Sequence, residues 1–306
     1  MAAYQAALAG EIDRASIGEG KSKSGTITAA VAGYFSSAAF QTLARTTQST
    51  YRGILERFRN EFGHLPIAQL ERGHIERIVS ERVATPAAAN NTLRMIRILM
   101  QFAISVGLRM DDPTLNVKPV RTRSEGFYTW TESDIAKFEE VYPAGTRARL
   151  AMGLLLYTAQ RRSDVVKMGR QHVKDGVLTI RQQKTGTTVE IPIHPELQAI
   201  IDATPNSNLT FLVTDFGKPF AAAGFGNLFR YWCKEAGLPT ECSSHGLRKA
   251  ASRRLAEAGC TAHEIMAITG HKTLKEVTRY TAAVDRKRLG QTAMAKIRNR
   301  TSSGKP

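Results

Sequence analysis

Acidic side chains are scarce in this chain. Across 306 residues, 27 Asp and Glu face 43 Lys and Arg, a formal net charge of +16. The surplus is not a basic tail: residues 1–124 carry 16 basic and 10 acidic residues, a balance of +6, and the other +10 falls in 125–306. With both halves basic, the composition points to a polyanionic partner rather than to solubility alone. Cysteine is also rare. Cys233, Cys242 and Cys260 show no metal-type spacing, and their odd number argues against a disulfide framework, so they read as reduced residues of a cytosolic protein. No stretch approaches the ~20 apolar residues of a membrane span. The start, MAAYQAALAGEIDR, carries acids early and lacks an apolar signal core. Cytoplasmic localisation beside nucleic acid, away from any membrane, is therefore expected. The chain has no GxxxxGK[ST] phosphate loop, no carboxylate cluster suited to magnesium, no internal repeat and no low-complexity segment. No metal or cofactor is expected.

What is present divides in two, and the length suits two ordinary domains. Residues 1–25 are weakly patterned and read as a flexible lead-in. From Thr26 to about residue 112 the pattern is helical. In TQSTYRGILERFRNEFG, Tyr51, Ile54, Leu55 and Phe58 recur at three- and four-residue steps, and Gly63 and Pro66 stop the run. NNTLRMIRILMQFAISVGL is apolar densely enough for a central buried helix ending at Gly107. A bundle of about four helices is expected. DDPTLNVKPVRTRSEGF has two prolines and no periodicity, which makes 113–128 a linker carrying Lys118, Arg121 and Arg123. A second domain is expected over 129–285. Thr131-x-x-Asp134 is a helix-start pattern, and ARLAMGLLLYTA is apolar nearly all round. VLTI (177–180) and TTVEIPI (187–193) are strand segments joined by a hairpin tip with Gly186 at the turn. From there the pattern reads as helical to about Ile297, with 286–306 a C-terminal tail.

Several side chains suit phosphoryl chemistry. Tyr280 is a candidate nucleophile in a short helix started by Thr273 and Glu276; its phenol, with a pKa of about 10, needs a base and a stabilised transition state. His245 and Arg248 stand at i and i+3, so both can address one phosphate, and a guanidinium forks across two of its oxygens. Arg248 in HGLRKAASRR reads equally as part of a solvated basic face. Arg161 adjoins Arg162, which leaves the choice between them open, and Asp164 is placed to orient Arg161 by a bidentate pair. Lys184 at the hairpin tip can protonate a leaving oxygen or simply be a solvated lysine. His271 can donate to a non-bridging oxygen or end a helix.

The order R…K…HxxR…GH…Y, in these local contexts, resembles the tyrosine recombinases, the phage-integrase family. TAQRRSD is similar to the family's T-G-x-R-x-S-E segment, which would make Arg161 the catalytic arginine and Asp164 its acidic partner, with Ala159 in place of the usual glycine. QQKTG resembles the β-hairpin lysine segment and carries over Lys184. SHGLRKAAS resembles the H-x-x-R box with His245 and Arg248, and ITGHKTLKEVTRYT resembles the family's G-H…Y segment with His271 and Tyr280.

The resemblance implies a four-helix, SAM-like core-binding domain followed by a mixed α/β, mostly helical catalytic domain with a small antiparallel sheet. It implies an integrase of a phage or mobile element in the bacterial cytosol, associated with the nucleoid. Such an enzyme cuts and rejoins double-stranded DNA through a 3′-phosphotyrosyl link, without metal or ATP. Its expected partners are DNA attachment sites and further copies of itself, as a dimer on one site and a tetramer in the synapse, with accessory DNA-bending or directionality factors. A C-terminal segment passed to a neighbouring copy is also implied. A Xer-type chromosome dimer resolvase, a type IB topoisomerase and a DNA-binding protein without catalysis are the alternatives. Residues 1–25 are expected to be too few for the separate arm-type DNA-binding domain of some integrases, the alternative being a longer protein with an upstream segment.

Overall fold

The structure is a computed structural model that describes residues 23–122, 126–204, 207–278, 286, 290–295 and 297. The chain divides into two compact units, Met1–Ser124 and Glu125–Pro306. No helix among the described residues is long and apolar enough to cross a membrane.

The first unit is helical: α1 (Ile27–Ser36), a one-turn α2 (Ala38–Gln41), α3 (Arg45–Phe62), α4 (Arg72–Ser80) and α5 (Pro86–Ser105). The expected four helices are there, with α2 as an extra turn. Thr26 caps α1 through its hydroxyl. The repeating apolar positions of α3 form its buried face, Ile54, Leu55 and Phe58, with Tyr51 half-buried. Helix α5 is the central one, burying Leu93, Met95, Ile96, Leu99 and Met100, and Pro86 opens it where a missing N–H costs nothing. Past α5, Arg109 is 7% exposed and donates to the carbonyls of Ile67 (3.0 Å) and Leu70 (3.1 Å), which ties the chain back onto the bundle.

The segment 113–128, read as the linker, is packed at both ends. Val117 is buried in the first unit's core. The Asn90 amide bonds to Val120 in both directions, at 2.9 and 2.8 Å, and Arg97 donates to the Val117 carbonyl. Side chains of α5 thus satisfy backbone groups that an aperiodic segment cannot pair with itself. At the other end Tyr128 and Trp130 pack into the second unit.

The second unit is built round α7 (Arg147–Thr158), nine of whose twelve residues are buried, which makes it the core helix. Helix α6 (Glu132–Val141) precedes it and starts with the expected box, Thr131 and Asp134 exchanging bonds. After the one-turn α8 (Arg162–Val165) come β1 (Val173–Lys174), β2 (Val177–Arg181) and β3 (Thr188–Pro192) in one antiparallel sheet of order β1-β2-β3. Leu178 faces Ile191 and Ile180 faces Val189, all four turned to the core. β1, two residues long, carries no readable alternation. Helices α9 (Pro195–Ala203), α10 (Ala222–Glu235), α11 (Ser244–Glu257) and α12 (Ala262–Thr269) follow, then a helical turn over 274–278. The expectation of helix throughout this stretch is corrected at 207–221. That loop holds an isolated bridge between Val213 and Pro219, and Gly217 has a φ of 68°. A proline without an N–H and a left-handed glycine both act against helix there.

Candidate active site

Helix α7 ends on Ala159, whose backbone is left-handed at φ 54° and ψ 24°. The turn reverses the chain, so Gln160 and Arg161 leave the helix axis and Arg161 becomes the N-cap residue of α8. Arg161 is half-buried, and its Nη1 donates to the Gln182 side-chain oxygen at 3.0 Å; neighbouring Arg162 is exposed. This distinguishes two arginines that composition could not. Asp164 does not make the expected bidentate pair. Its Oδ1 accepts the Gln183 N–H at 2.8 Å, while Oδ2 is buried with no hydrogen-bond partner. The reason is direction: the first turn of α8 points Asp164 at Gln183 in the tip of the β2–β3 hairpin, so it fixes the lysine-bearing tip. Lys184 stands exposed on that tip, which closes through Gln182 N–H to Thr187 O (2.8 Å) and Gly186 N–H to Gln182 O (2.9 Å).

Helix α11 carries His245 and Arg248. Its start is fixed by the Ser243 hydroxyl capping the Gly246 N–H, and by the fully buried Trp130, whose indole donates to the Ser243 carbonyl at 3.1 Å. Any side chain at Gly246 would run into the Tyr128 carbonyl and the Trp130 ring. Arg248 is only 1% exposed. It donates to Ala159 O (2.6 Å) and Thr269 O (3.0 Å) and lies 2.8 Å from His271 Nε2. His245 is half-buried, with the exposed ring of Phe127 at 4.4 Å between centroids, and Lys249 holds that segment by donating to the Phe127 carbonyl.

Helix α12 ends on Gly270 in the left-handed region at φ 68°, and a methyl group there would overlap the Gln182 amide. Glycine is therefore required twice over, by backbone and by space. The turn delivers His271, 8% exposed, to Arg248. The Thr269 hydroxyl donates to Ile265 O at 2.7 Å and so accepts from His271 Nδ1–H at 2.8 Å, which leaves Nε2 to accept from Arg248. In this state His271 is a neutral acceptor toward Arg248.

The electrostatics follow. Burial first, then the charges of Arg248, Arg161, Lys249 and Lys184, push the His245 pKa down to about 4. Burial and Arg248 do the same to His271, also to about 4, against a smaller opposing pull from Glu276. Arginines from two elements, a hairpin lysine and two neutral imidazoles thus share one electrostatic neighbourhood. Among the described residues no three His, Cys, Asp or Glu side chains converge in a way that could hold a metal ion.

Tyr280, read as the nucleophile, lies outside the described residues, as does Arg123. The helical turn expected ahead of Tyr280 is present over 274–278, with Thr273 Oγ1 donating to Glu276 at 3.3 Å. Lys118 and Arg121 belong to the first unit and are exposed there. Sequence reasoning missed Gln182, Gln160 and Thr269, which link the arginines. One signal was available: Leu178 and Ile180 face inward on β2, so the strand's alternation turns Gln182 inward too, a polar residue where packing alone asks for an apolar one.

The fold and this arrangement are those of a DNA strand-exchange enzyme class, and comparison agrees. Residues 131–287 match the model of the phage integrase family, and the chain belongs to that family, the tyrosine recombinases. A search of curated proteins by sequence gives no match. Among solved structures, the chain is similar to a lambda integrase dimer bound to a COC′ core site, with 20% identity, 84% of this chain and 95% of that chain covered, and a TM-score of 0.76. It is similar to a lambda integrase tetramer bound to a Holliday junction (21% identity, 89% and 86% covered, TM-score 0.73). It is likewise similar to the Tn1549 transposon integrase in complex with a circular intermediate DNA (16% identity, 87% and 100% covered, TM-score 0.74). At these identities the likeness is one of fold.

Proposed function

We propose that the protein is a site-specific integrase that cuts and rejoins duplex DNA through a 3′-phosphotyrosyl intermediate, serving integration and excision of a phage or mobile element. The observation that carries this reading is that Arg161 and Arg248, 87 residues apart in sequence, are joined through Gln182 and the Thr269 carbonyl, beside a hairpin lysine and two buried imidazoles. In the proposed reaction the Tyr280 oxygen attacks the scissile phosphorus, and the bond from phosphorus to the 5′ oxygen breaks. His245, neutral at pH 7, takes the phenol proton, and Lys184 gives a proton to the departing 5′ oxygen. Arg161 and Arg248 offset the charge that builds on the non-bridging oxygens, catalysis by groups already in place. An arriving phosphate opposes the cationic field, which favours a proton on His271 and converts it from acceptor to donor. One phosphoester is exchanged for another, so bond energy is conserved and no ATP is consumed.

The excess positive charge of both units supports binding to double-stranded DNA, with Lys118, Arg121 and Arg123 as phosphate contacts. The lambda and Tn1549 relatives were solved with DNA, as a dimer and a tetramer in the lambda case. This chain is accordingly read as a dimer on one site and a tetramer in the synapse, in the bacterial cytosol at the nucleoid. The test is Tyr280→Phe, which removes one hydroxyl. With a labelled suicide substrate the wild type forms a covalent protein–DNA adduct and the variant binds but forms none. An adduct with the phenylalanine variant would assign the attack to another residue. With two guanidiniums meeting the phosphate charge, excess EDTA leaves the adduct rate within a small factor; loss with rescue by magnesium would overturn the mechanism.

A further inference from the structure

Gln182 is a buried polar residue whose four side-chain bonding positions are all used. Its Oε1 accepts from Arg161 Nη1 at 3.0 Å and from the Thr185 hydroxyl at 2.6 Å. Its Nε2 donates to Gln160 Oε1 and to the Thr269 carbonyl, both at 2.7 Å. The amide orientation is fixed chemically, since a guanidinium can only donate and a carbonyl can only accept. Thr269 O is also the acceptor of Arg248, and Gly270 is held against the same amide. One side chain therefore touches Arg161 directly and reaches Arg248 through a shared carbonyl. Its backbone closes the hairpin tip.

The tip gains a second benefit. Lys184 is exposed, yet the residues on either side of it are tethered. Gln183 N–H is held by Asp164, while Thr185 is held by Gln182 through its hydroxyl and by Lys272 through its carbonyl at 3.1 Å. The oxygen that accepts from Arg161 is also the oxygen that accepts from Thr185. A displacement of the tip is therefore felt at the arginine, and the reverse.

We propose that Gln182 is a positioning residue that keeps Arg161 and the Lys184 tip in register, so that charge stabilisation and leaving-group protonation act on the same phosphate. This rests on the phosphotyrosyl reading above. Gln182 touches no reacting atom; it acts through Arg161 and Thr185. Misplacing a group by about 1 Å costs on the order of 100-fold in rate, so the effect belongs in the chemical step and not in DNA affinity.

The experiment measures adduct formation in single turnover at saturating DNA for the full chain, Gln182→Met and Thr185→Val. Each is tested on the natural substrate and on one whose scissile 5′-bridging oxygen is sulfur, a leaving group that needs no proton. Gln182→Met is expected to lose about 10- to 100-fold in rate with DNA affinity within about 3-fold, and the sulfur substrate recovers part of that loss. Thr185→Val, which exchanges the hydroxyl for a methyl group, is expected to lose several-fold on oxygen and almost nothing on sulfur. No adduct from the wild type would bring down the phosphotyrosyl reading itself. A wild-type adduct with an unchanged Gln182→Met rate overturns only the role of Gln182, as does a loss confined to DNA affinity. If Gln182→Met fails to unfold cooperatively, Thr185→Val decides: an unchanged rate on oxygen, or a defect equally large on sulfur, overturns the coupling.

Discussion

His245 and His271 enter the folded state neutral because burial and the charges of Arg248 and Arg161 oppose further positive charge beside them. Their pKa values fall from 6.5 to about 4, so the unfolded chain binds more protons between those limits. Stability from these groups is complete above pH 6.5 and is lost as pH falls toward 4. Thermal unfolding should therefore show a midpoint that declines across this window, and His245→Asn should flatten part of the slope. The exposed carboxylate of Glu132, pulled below its ordinary 4.5 by hydrogen bonding to Arg254, overlaps the acid end of this window, so the slopes are compared at its upper end. An unchanged slope in the His245 variant would mean the imidazole is not held neutral. Arg161 makes the complementary case. One of its N–H groups is committed to Gln182, and phosphate is expected to take others. Arg161→Lys keeps the charge but cannot both hold Gln182 and fork across two oxygens. Cleavage should fall by on the order of 100-fold or more while DNA affinity changes little; near-normal cleavage would reduce the arginine to a point charge.

The hairpin shows how an element serves the site. Two short strands with inward Leu178, Ile180, Val189 and Ile191 form a stiff arm, and Asp164 anchors its tip at Gln183. Asp164→Asn preserves an oxygen for the Gln183 N–H, whereas Asp164→Ala leaves that N–H without it, at a cost of about 1–3 kcal/mol. Chemical unfolding and single-turnover cleavage should both rank wild type and asparagine above alanine. Asparagine as damaging as alanine would show that the negative charge matters, as in the pairing the sequence suggested. That pairing illustrates where sequence reading stops. Periodicity marks α3 because burying one apolar face leaves a repeat, dense apolar runs mark the central α5 and α7, and Thr131 with Asp134 marks the start of α6 because capping is local chemistry. Motif order named the candidate site residues, and packing brings Arg161, Lys184, His245, Arg248 and His271 into one neighbourhood. Their connections were not legible: Gln160, Gln182 and Thr269 meet only after three separate elements have packed, and no local pattern records a partner 87 residues away. Alternation of β2 still pointed at Gln182 as a residue needing an explanation.

At the scale of the whole molecule, charge and assembly take over from geometry. Each unit carries a positive excess, so both should neutralise DNA phosphates and affinity should fall steeply with salt. Removing residues 1–124 should cost orders of magnitude in affinity; a catalytic unit that binds as tightly alone would show that the first unit contributes nothing. Assembly is expected to depend on the C-terminal segment. In AAVDRKRLGQTAMAKIRNR, Leu289, Ala293, Met294 and Ile297 share one side of a helical pattern. Residues 290–295 are helical, and Met294 and Ile297 are 67% and 56% exposed. A helix this short is marginal by itself in water, so its apolar side gains most by docking on protein. Docking on its own subunit would leave DNA binding by separate copies independent. Docking on a neighbour would couple them, so that a second copy binds a full site more tightly than a half-site allows. Deleting residues from Arg286 onward should leave monomer binding to a half-site intact and weaken cooperative filling of the full site in a gel-shift titration. Unchanged cooperativity would assign the segment to its own subunit and require another surface to hold the synapse.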